Sequence, residues 1–150
     1  MLQDPRLFRV AQRWLLLMMG FSLVVGILLL VAGATPLFAK YNQSAADAFY
    51  GGAALEGAAL AHHQWLLGVS GAGTMGWAVT LLFVIAIPFE RKELWAWRCV
   101  IVSVGLWVAV DVAASVYWGV TGEVAFVASA GIGLLVPALI TRPHFAQSAR

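Results

Sequence analysis

From Trp14 to Ala34 the chain runs through an apolar stretch in which Ser22 is the only hydroxyl-bearing residue and nothing is charged. Three further apolar segments follow: Trp65 to Ile87, about Trp97 to Trp118, and Val124 to Ile140. A hydrocarbon layer ~30 Å thick is crossed by ~20 helical residues, with ~17 to 25 workable. The first three segments meet this length comfortably and the fourth sits at its short end. Lipid offers no partner to an unpaired backbone N–H or C=O, so such segments cross as helices. The expected fold is therefore all-α, a four-helix transmembrane bundle forming one domain over residues 1–150. Composition agrees. Only 11% of the residues are charged and 62% are hydrophobic, against roughly 25% charged in soluble domains. A surface so poor in charge must face the lipid bilayer. That excludes a soluble globular enzyme, a disordered chain and a nucleic-acid module. A formal net charge of +2 makes no case for an acidic partner. The single cysteine, Cys99, excludes an intrachain disulfide and a multi-cysteine zinc site.

The segment ends carry aromatic rings. Trp14, Trp65, Trp95, Trp97, Tyr117 and Trp118 fall near the boundaries, where amphipathic rings sit at headgroup level. Pro36 and Pro88 stand where the first two helices should stop, and Pro137 predicts a kink near the end of the fourth. Arg6, Arg9, Arg13, Arg91, Lys92, Arg98, Arg142 and Arg150 all flank one side of the bundle, whereas Lys40 alone lies on the other. Cations stay cytoplasmic, so both termini are expected inside. A cleavable signal peptide ending at Ala32-Gly33-Ala34 is the competing reading of the first segment. Its apolar stretch is longer than the ~7 to 15 residues of a signal core.

Residues 35–64 form a 30-residue outer connection. A structureless loop of that length is uncommon in a compact domain, so it is expected to be partly helical. Ser44 with Asp47 three residues on resembles a capping box, and Gly51-Gly52 should end that helix. Ala53 to His63 is helix-permissive and reads as an outward extension of the second span. The remaining connections are short, which predicts that spans two, three and four are antiparallel neighbours. Small residues recur every four positions at Gly68, Ala72, Gly76 and Thr80, and again at Ala125, Ser129 and Gly133, with Gly20 and Gly26 in the first span. Such rows let helices in lipid approach closely. They are the expected packing faces, within the bundle or between copies.

Several local patterns resemble catalytic motifs. Gly71-Ala72-Gly73-Thr74-Met75-Gly76 matches G-x-G-x-x-G, but a dinucleotide site needs a preceding strand, and here the motif lies inside an apolar span. Gly68-Val69-Ser70-Gly71 resembles the G-x-S-G of rhomboid-type intramembrane proteases. That chemistry needs a base in reach of the serine, and His62, His63 and His144 all lie outside the apolar segments. Glu56, His62 and His63 are the weak candidates for a metal. Adjacent helical residues point ~100° apart, which disfavours joint chelation by the two histidines. No metal or other cofactor is expected.

Asp111 is the residue that apolar packing does not explain. A carboxylate in hydrocarbon costs ~2.5 kcal/mol or more, so it should face the bundle interior and find donors. Trp107, Ser115 and Trp118 share its helix face by spacings of four and seven. Depth arithmetic at 1.5 Å per residue puts Asp111 ~10 Å below the outer boundary, Ser70 and Ser129 at ~8 Å, and Thr74 at ~13 Å. These residues could form one polar layer, either a structural hydrogen-bond cluster or a ligand site.

The stretch Pro88-Phe89-Glu90-Arg91-Lys92-Glu93-Leu94-Trp95-Ala96-Trp97-Arg98, followed by Trp107 and Asp111, resembles small bacterial four-span integral membrane proteins over roughly Trp65 to Phe145. The resemblance implies a place in a bacterial inner membrane and no particular activity. Small multidrug transporters differ in having an acid in the first span, which this chain lacks. Two functions are expected from these observations. One is a non-enzymatic accessory or structural subunit, as a homo-oligomer or in a larger membrane complex. The other is a binder or carrier of a lipid or small hydrophobic molecule at Asp111.

Overall fold

The computed structural model describes residues 4–145. Among them are five α-helices: α1 Pro5–Ala32, α2 Ala39–Tyr50, α3 Gly57–Val84, α4 Leu94–Trp118 and α5 Thr121–Ile140. All but α2 are long and apolar enough to cross a membrane. The chain thus has the make-up of a multi-pass membrane protein.

Helix starts lie outside the apolar segments that announce them. α1 begins at Pro5, well before Trp14, because Asp4 caps it. The Asp4 Oδ1 accepts the Arg6 N–H at 2.7 Å, and Pro5 occupies a first-turn position where no N–H is needed. α1 is therefore about 42 Å long at 1.5 Å per residue. α2 begins at Ala39, so Ser44 lies in its second turn and is not its cap. Gly51, at φ 62°, ends it as expected. α3 takes in His62 and His63, as the extension reading requires, while residues 53–56 stay non-helical. A short 3₁₀ turn, Pro36–Phe38, joins α1 to α2.

Pro36 follows the end of α1, and Pro88 lies one residue before the second span ends at Phe89. The Pro88 nitrogen has no hydrogen to donate, and the chain widens into a π turn over Ile85–Phe89 before it ends. The Gln12 side-chain N–H donates to the Ile85 carbonyl in that turn at 3.1 Å. Pro137 lies inside α5, which runs on to Ile140. An α-helical residue at 137 would donate to the carbonyl of Gly133. Proline cannot, and the Trp14 indole N–H takes that carbonyl at 2.8 Å.

Two helix pairs make up the bundle. α1 packs along α3, and α4 along α5, with α1 also touching α5. α3 and α4 are only sparsely in contact, although a short turn joins them, so the expected run of three neighbouring spans is corrected. Loop length sets which ends meet, but side-chain fit decides which faces pack. The fit between α1 and α3 is made by glycine. A Cβ on Gly26 would lie 2.8 Å from the Gly71 carbonyl oxygen, and one on Gly71 would collide with the Gly26 carbonyl oxygen. Between α4 and α5, a Cβ on Gly131 would come within 2.5 Å of a Val108 methyl.

The small-residue rows read from the sequence are accordingly offset. Gly68 still borders Leu30, but Ala72 is exposed and a Cβ on Gly76 would meet nothing within 4 Å. The buried line on α3 is Leu67, Gly71, Ala78 and Leu81. On α5 it is Val127, Gly131, Leu134 and Ala138, leaving Ala125 exposed and Gly133 at the margin. A four-residue repeat on a 3.6-residue helix drifts around the axis, so several rows compete and spacing alone does not choose among them.

The described cationic side chains that flank the spans gather at one end, here called the basic end; the opposite end is distal. Arg150 lies outside the described residues. The basic end is closed by aromatic packing. Phe8 lies against Phe89 at 5.8 Å, Phe145 at 6.0 Å and His144 at 5.1 Å, with the Lys92 ammonium 5.5 Å over the Phe8 ring. Asp4 and Phe145, the two ends of the described chain, thus share this end. The Trp97 indole donates to the Ala138 carbonyl at 2.8 Å while Arg142 covers its ring.

Two outcomes test this packing. Gly71→Ala should destabilise the protein by about 1 to 3 kcal/mol, because overpacking forces α1 and α3 apart. Gly76→Ala should be neutral or stabilising. Thermal unfolding in detergent micelles distinguishes them, and equal effects would contradict the assigned face. The second concerns His144, which is 8% exposed with its Nε2 buried and unpartnered. Burial, then the Lys92 charge, pushes its imidazole below the ordinary range, with Asp4 opposing. The folded state then binds fewer protons than the unfolded state, so stability is complete above about pH 6.5 and falls as pH drops below it. The unfolding temperature should decline from pH 7.5 to 5.5, and His144→Gln should flatten that decline.

Candidate functional site

α2 lies across the distal ends of the other helices and is fastened by side chains along its length. Its sequence is nearly balanced between polar and apolar residues, unlike that of the spans. The Asn42 amide donates to the Gly33 carbonyl just past α1 at 2.8 Å. His63 of α3 is 3.0 Å from the Asn42 carbonyl oxygen through its Nε2. The Ser44 hydroxyl accepts the Gly122 N–H of α5 at 3.2 Å. Phe49 packs against Trp118 of α4, with ring centroids 5.6 Å apart. α2 is thus tied to the distal ends of all four long helices.

Beneath α2 is a cluster of polar groups. Asp111 is half-buried on α4 and its Oδ1 accepts the Ser115 hydroxyl at 3.1 Å. Ser115 is buried. Glu123, in the first turn of α5, is within electrostatic reach of Asp111. Its Oε2 is buried without a hydrogen-bond partner. Tyr41 of α2 lies within electrostatic reach of both acids. Its hydroxyl is pushed up to about 12, first by burial and then by the Glu123 and Asp111 charges. Three helices therefore contribute to the cluster. The acid in the first turn of α5 is also favoured by that helix's N-terminal dipole.

The expected polar layer is assembled only in part. Asp111 and Ser115 meet. Ser129 donates to the Ala125 carbonyl at 2.7 Å and Thr74 to the Ser70 carbonyl at 2.9 Å, each within its own helix. Ser70 is exposed. The Trp107 ring packs on Trp77 of α3 at 5.4 Å, and Trp118 sits between Phe49 and Tyr117. The two partners that depth arithmetic passed over, Tyr41 and Glu123, stand outside the apolar segments, one in the long connection and one in the short turn. Glu123 had a signal, since an acid at a helix start is favourable. Tyr41 had none, because its position depends on α2 folding back.

The metal candidates do not converge. Glu56 precedes α3 in extended conformation, so it shares no helix face with His63. His62 stacks on Trp65 at 5.9 Å. Among the described residues no group of three or more His, Cys, Asp or Glu side chains could hold a metal ion. A cavity of about 180 Å³ opens beside α2, lined in part by Asn42, Gln43, Leu60 and His63.

The chain matches no protein family, and neither curated proteins nor solved structures provide a match.

Tyr41 offers a direct check on the cluster. Alkaline titration followed by tyrosinate absorbance should show one late-ionising tyrosine, near pH 12, that Tyr41→Phe removes. Glu123→Gln should bring that ionisation to lower pH by removing a negative charge. A Tyr41 that ionises at the ordinary value near 10 would place it in water, away from both acids.

Proposed function

We propose that this chain is a non-enzymatic integral membrane protein of the bacterial inner membrane, an accessory or structural subunit with both termini in the cytoplasm. The observation that carries this reading is how its distal polar side chains are used. Asn42, His63 and Ser44, with the Phe49 ring on Trp118, tie one helix across the ends of four others. Groups that could serve in catalysis serve as joints. His63 is engaged by Asn42, far from the exposed Ser70. The product of this joinery is a fixed platform with an aromatic rim, where Phe49, Tyr50, Tyr117 and Trp118 are exposed. Exposed aromatics around a rigid support are common at protein interfaces. The grouping of cations at the basic end supports the cytoplasmic assignment of that end.

A second reading is favoured by one observation. The buried, unpartnered Glu123 oxygen beside Asp111 is a hydrogen-bond acceptor without a donor. A small hydrophobic molecule carrying one N–H or O–H donor would satisfy it.

The test is extraction in native lipid particles with a cross-linker applied beforehand. The subunit reading expects a species clearly heavier than the 16.1 kDa chain, reduced when Tyr117→Ser and Trp118→Ser are combined. A particle containing one copy and nothing attached overturns it. Glu123→Gln with the assembly intact but a co-purified small molecule lost would favour the second reading. Reporters fused to the C-terminus should remain on the cytoplasmic side.

A further inference from the structure

From Arg6 to Val24, α1 bears a stripe that no other helix covers. Arg6, Arg9 and Arg13 follow one another at spacings of three and four, and all are exposed. Leu17, Gly20 and Val24 continue the same line at spacings of four, three and four. Residues at such spacings lie one above another on a helix. Leu17 and Val24 are exposed, as is Phe21 beside them. Along this line runs a shallow groove of about 590 Å³, lined by Arg13, Leu16, Leu17, Gly20, Phe21 and Val24. Gly20 forms its floor, since a Cβ there would meet nothing within 4 Å.

The dimensions point to an occupant. From Arg13 to Val24 the helix advances about 16 Å at 1.5 Å per residue, which is close to one leaflet, half of a ~30 Å hydrocarbon core. A packed partner helix would need an apolar line through both leaflets. The apolar face runs on through exposed Ile27 and Val31, but the groove itself stops at Val24 and begins at a guanidinium. Guanidinium groups bind phosphate through two parallel hydrogen bonds, and basic clusters at a membrane surface attract anionic headgroups.

We propose that this stripe is a binding site for an anionic phospholipid. Arg13 takes the phosphate, Arg9 and Arg6 add positive potential around the headgroup, and one acyl chain lies over Gly20 between Leu17 and Val24. The site requires only that α1 crosses a bilayer. It is independent of the side on which the basic end lies and of the subunit reading.

The full chain, stripped of lipid in mild detergent, is titrated with phosphatidylglycerol or with phosphatidylcholine of identical acyl chains. Thermal unfolding and native mass spectrometry read stabilisation and retained lipid. Phosphatidylglycerol should be retained in preference and raise the unfolding temperature more. Arg13→Gln should weaken phosphatidylglycerol binding about fivefold, the effect of one surface charge, with little change for phosphatidylcholine. Arg13→Lys should restore part of the loss. Gly20→Leu should weaken both lipids by filling the groove. Equal response to the two lipids, or a preference that Arg13→Gln leaves undiminished, overturns the proposal. So does Gly20→Leu binding both lipids as the native chain does. Disulfide formation between two copies carrying Leu17→Cys, in a Cys99→Ser background, would assign the stripe to a second copy and overturn it as well.

Discussion

A backbone carbonyl in oil must find a donor, and much of this structure follows from where such carbonyls lack one. Two prolines interrupt the long helices, and helix ends expose further carbonyls. Nearly every long-range hydrogen bond from a side chain goes to one of these places. Trp14 reaches the Gly133 carbonyl that Pro137 leaves free, Gln12 reaches Ile85 in the widened turn around Pro88, and Trp97 reaches Ala138 near the end of α5. Asn42 reaches Gly33 just beyond α1. Each of these bonds joins two elements, so satisfying the backbone and assembling the bundle are the same event. A proline usually weakens a helix. Here it creates an acceptor on one helix that a donor on another can address.

Between these polar joints the helices are held by shape. Lipid tails are as apolar as leucine, so hydrophobicity alone gives two helices no reason to meet. Close approach does, through dispersion contacts that grow with the number of atoms brought together. Gly26 facing Gly71 allows α1 and α3 to touch backbone to backbone, and Gly131 receives Val108 at the other pair. The two pairs are joined through α1 and α5, leaving α3 and α4 sparsely packed apart from Trp77 on Trp107. α1 is therefore the organising helix. It supplies the glycine for one pair and the indole that reaches the other.

The four long helices were legible because length and lack of charge are one-dimensional properties. Asp111 with Ser115 was legible for a related reason, since a spacing of four brings side chains together on any helix. What escaped the sequence was relative rotation. Ser70, Thr74 and Ser129 have depths close to that of Asp111, yet depth does not say which way a hydroxyl turns, and a serine or threonine in oil can bond the carbonyl four residues earlier within its own helix. The packing rows were missed by one or two residues for the same reason. Tyr41 and Glu123 were missed because apolar segments drew the search for buried polar groups, whereas burial at the distal end comes from α2 folding over it.

The two ends of the bundle bury polar groups by different means. At the basic end His144 is buried with the Phe8 ring against it, and exclusion of water, then the Lys92 charge, keep it neutral. At the distal end Tyr41 is kept neutral by burial and by acids. In both cases burial acts first against the charged form, and near neutral pH neither group brings an unpaired charge into the packed end. The acids beneath α2 are the exception. Asp111 has Ser115, but one oxygen of Glu123 has no partner, although a buried acceptor without a donor costs about 1 to 3 kcal/mol. At Gly133, Ile85 and Ala138, by contrast, a side chain from another helix reaches across to a carbonyl. Of the two buried atoms left without a partner among the described residues, His144 Nε2 lies at the basic end and Glu123 Oε2 beneath α2 beside a second acid, which makes Glu123 the atom-level point at which a structural cluster and a binding site can be told apart.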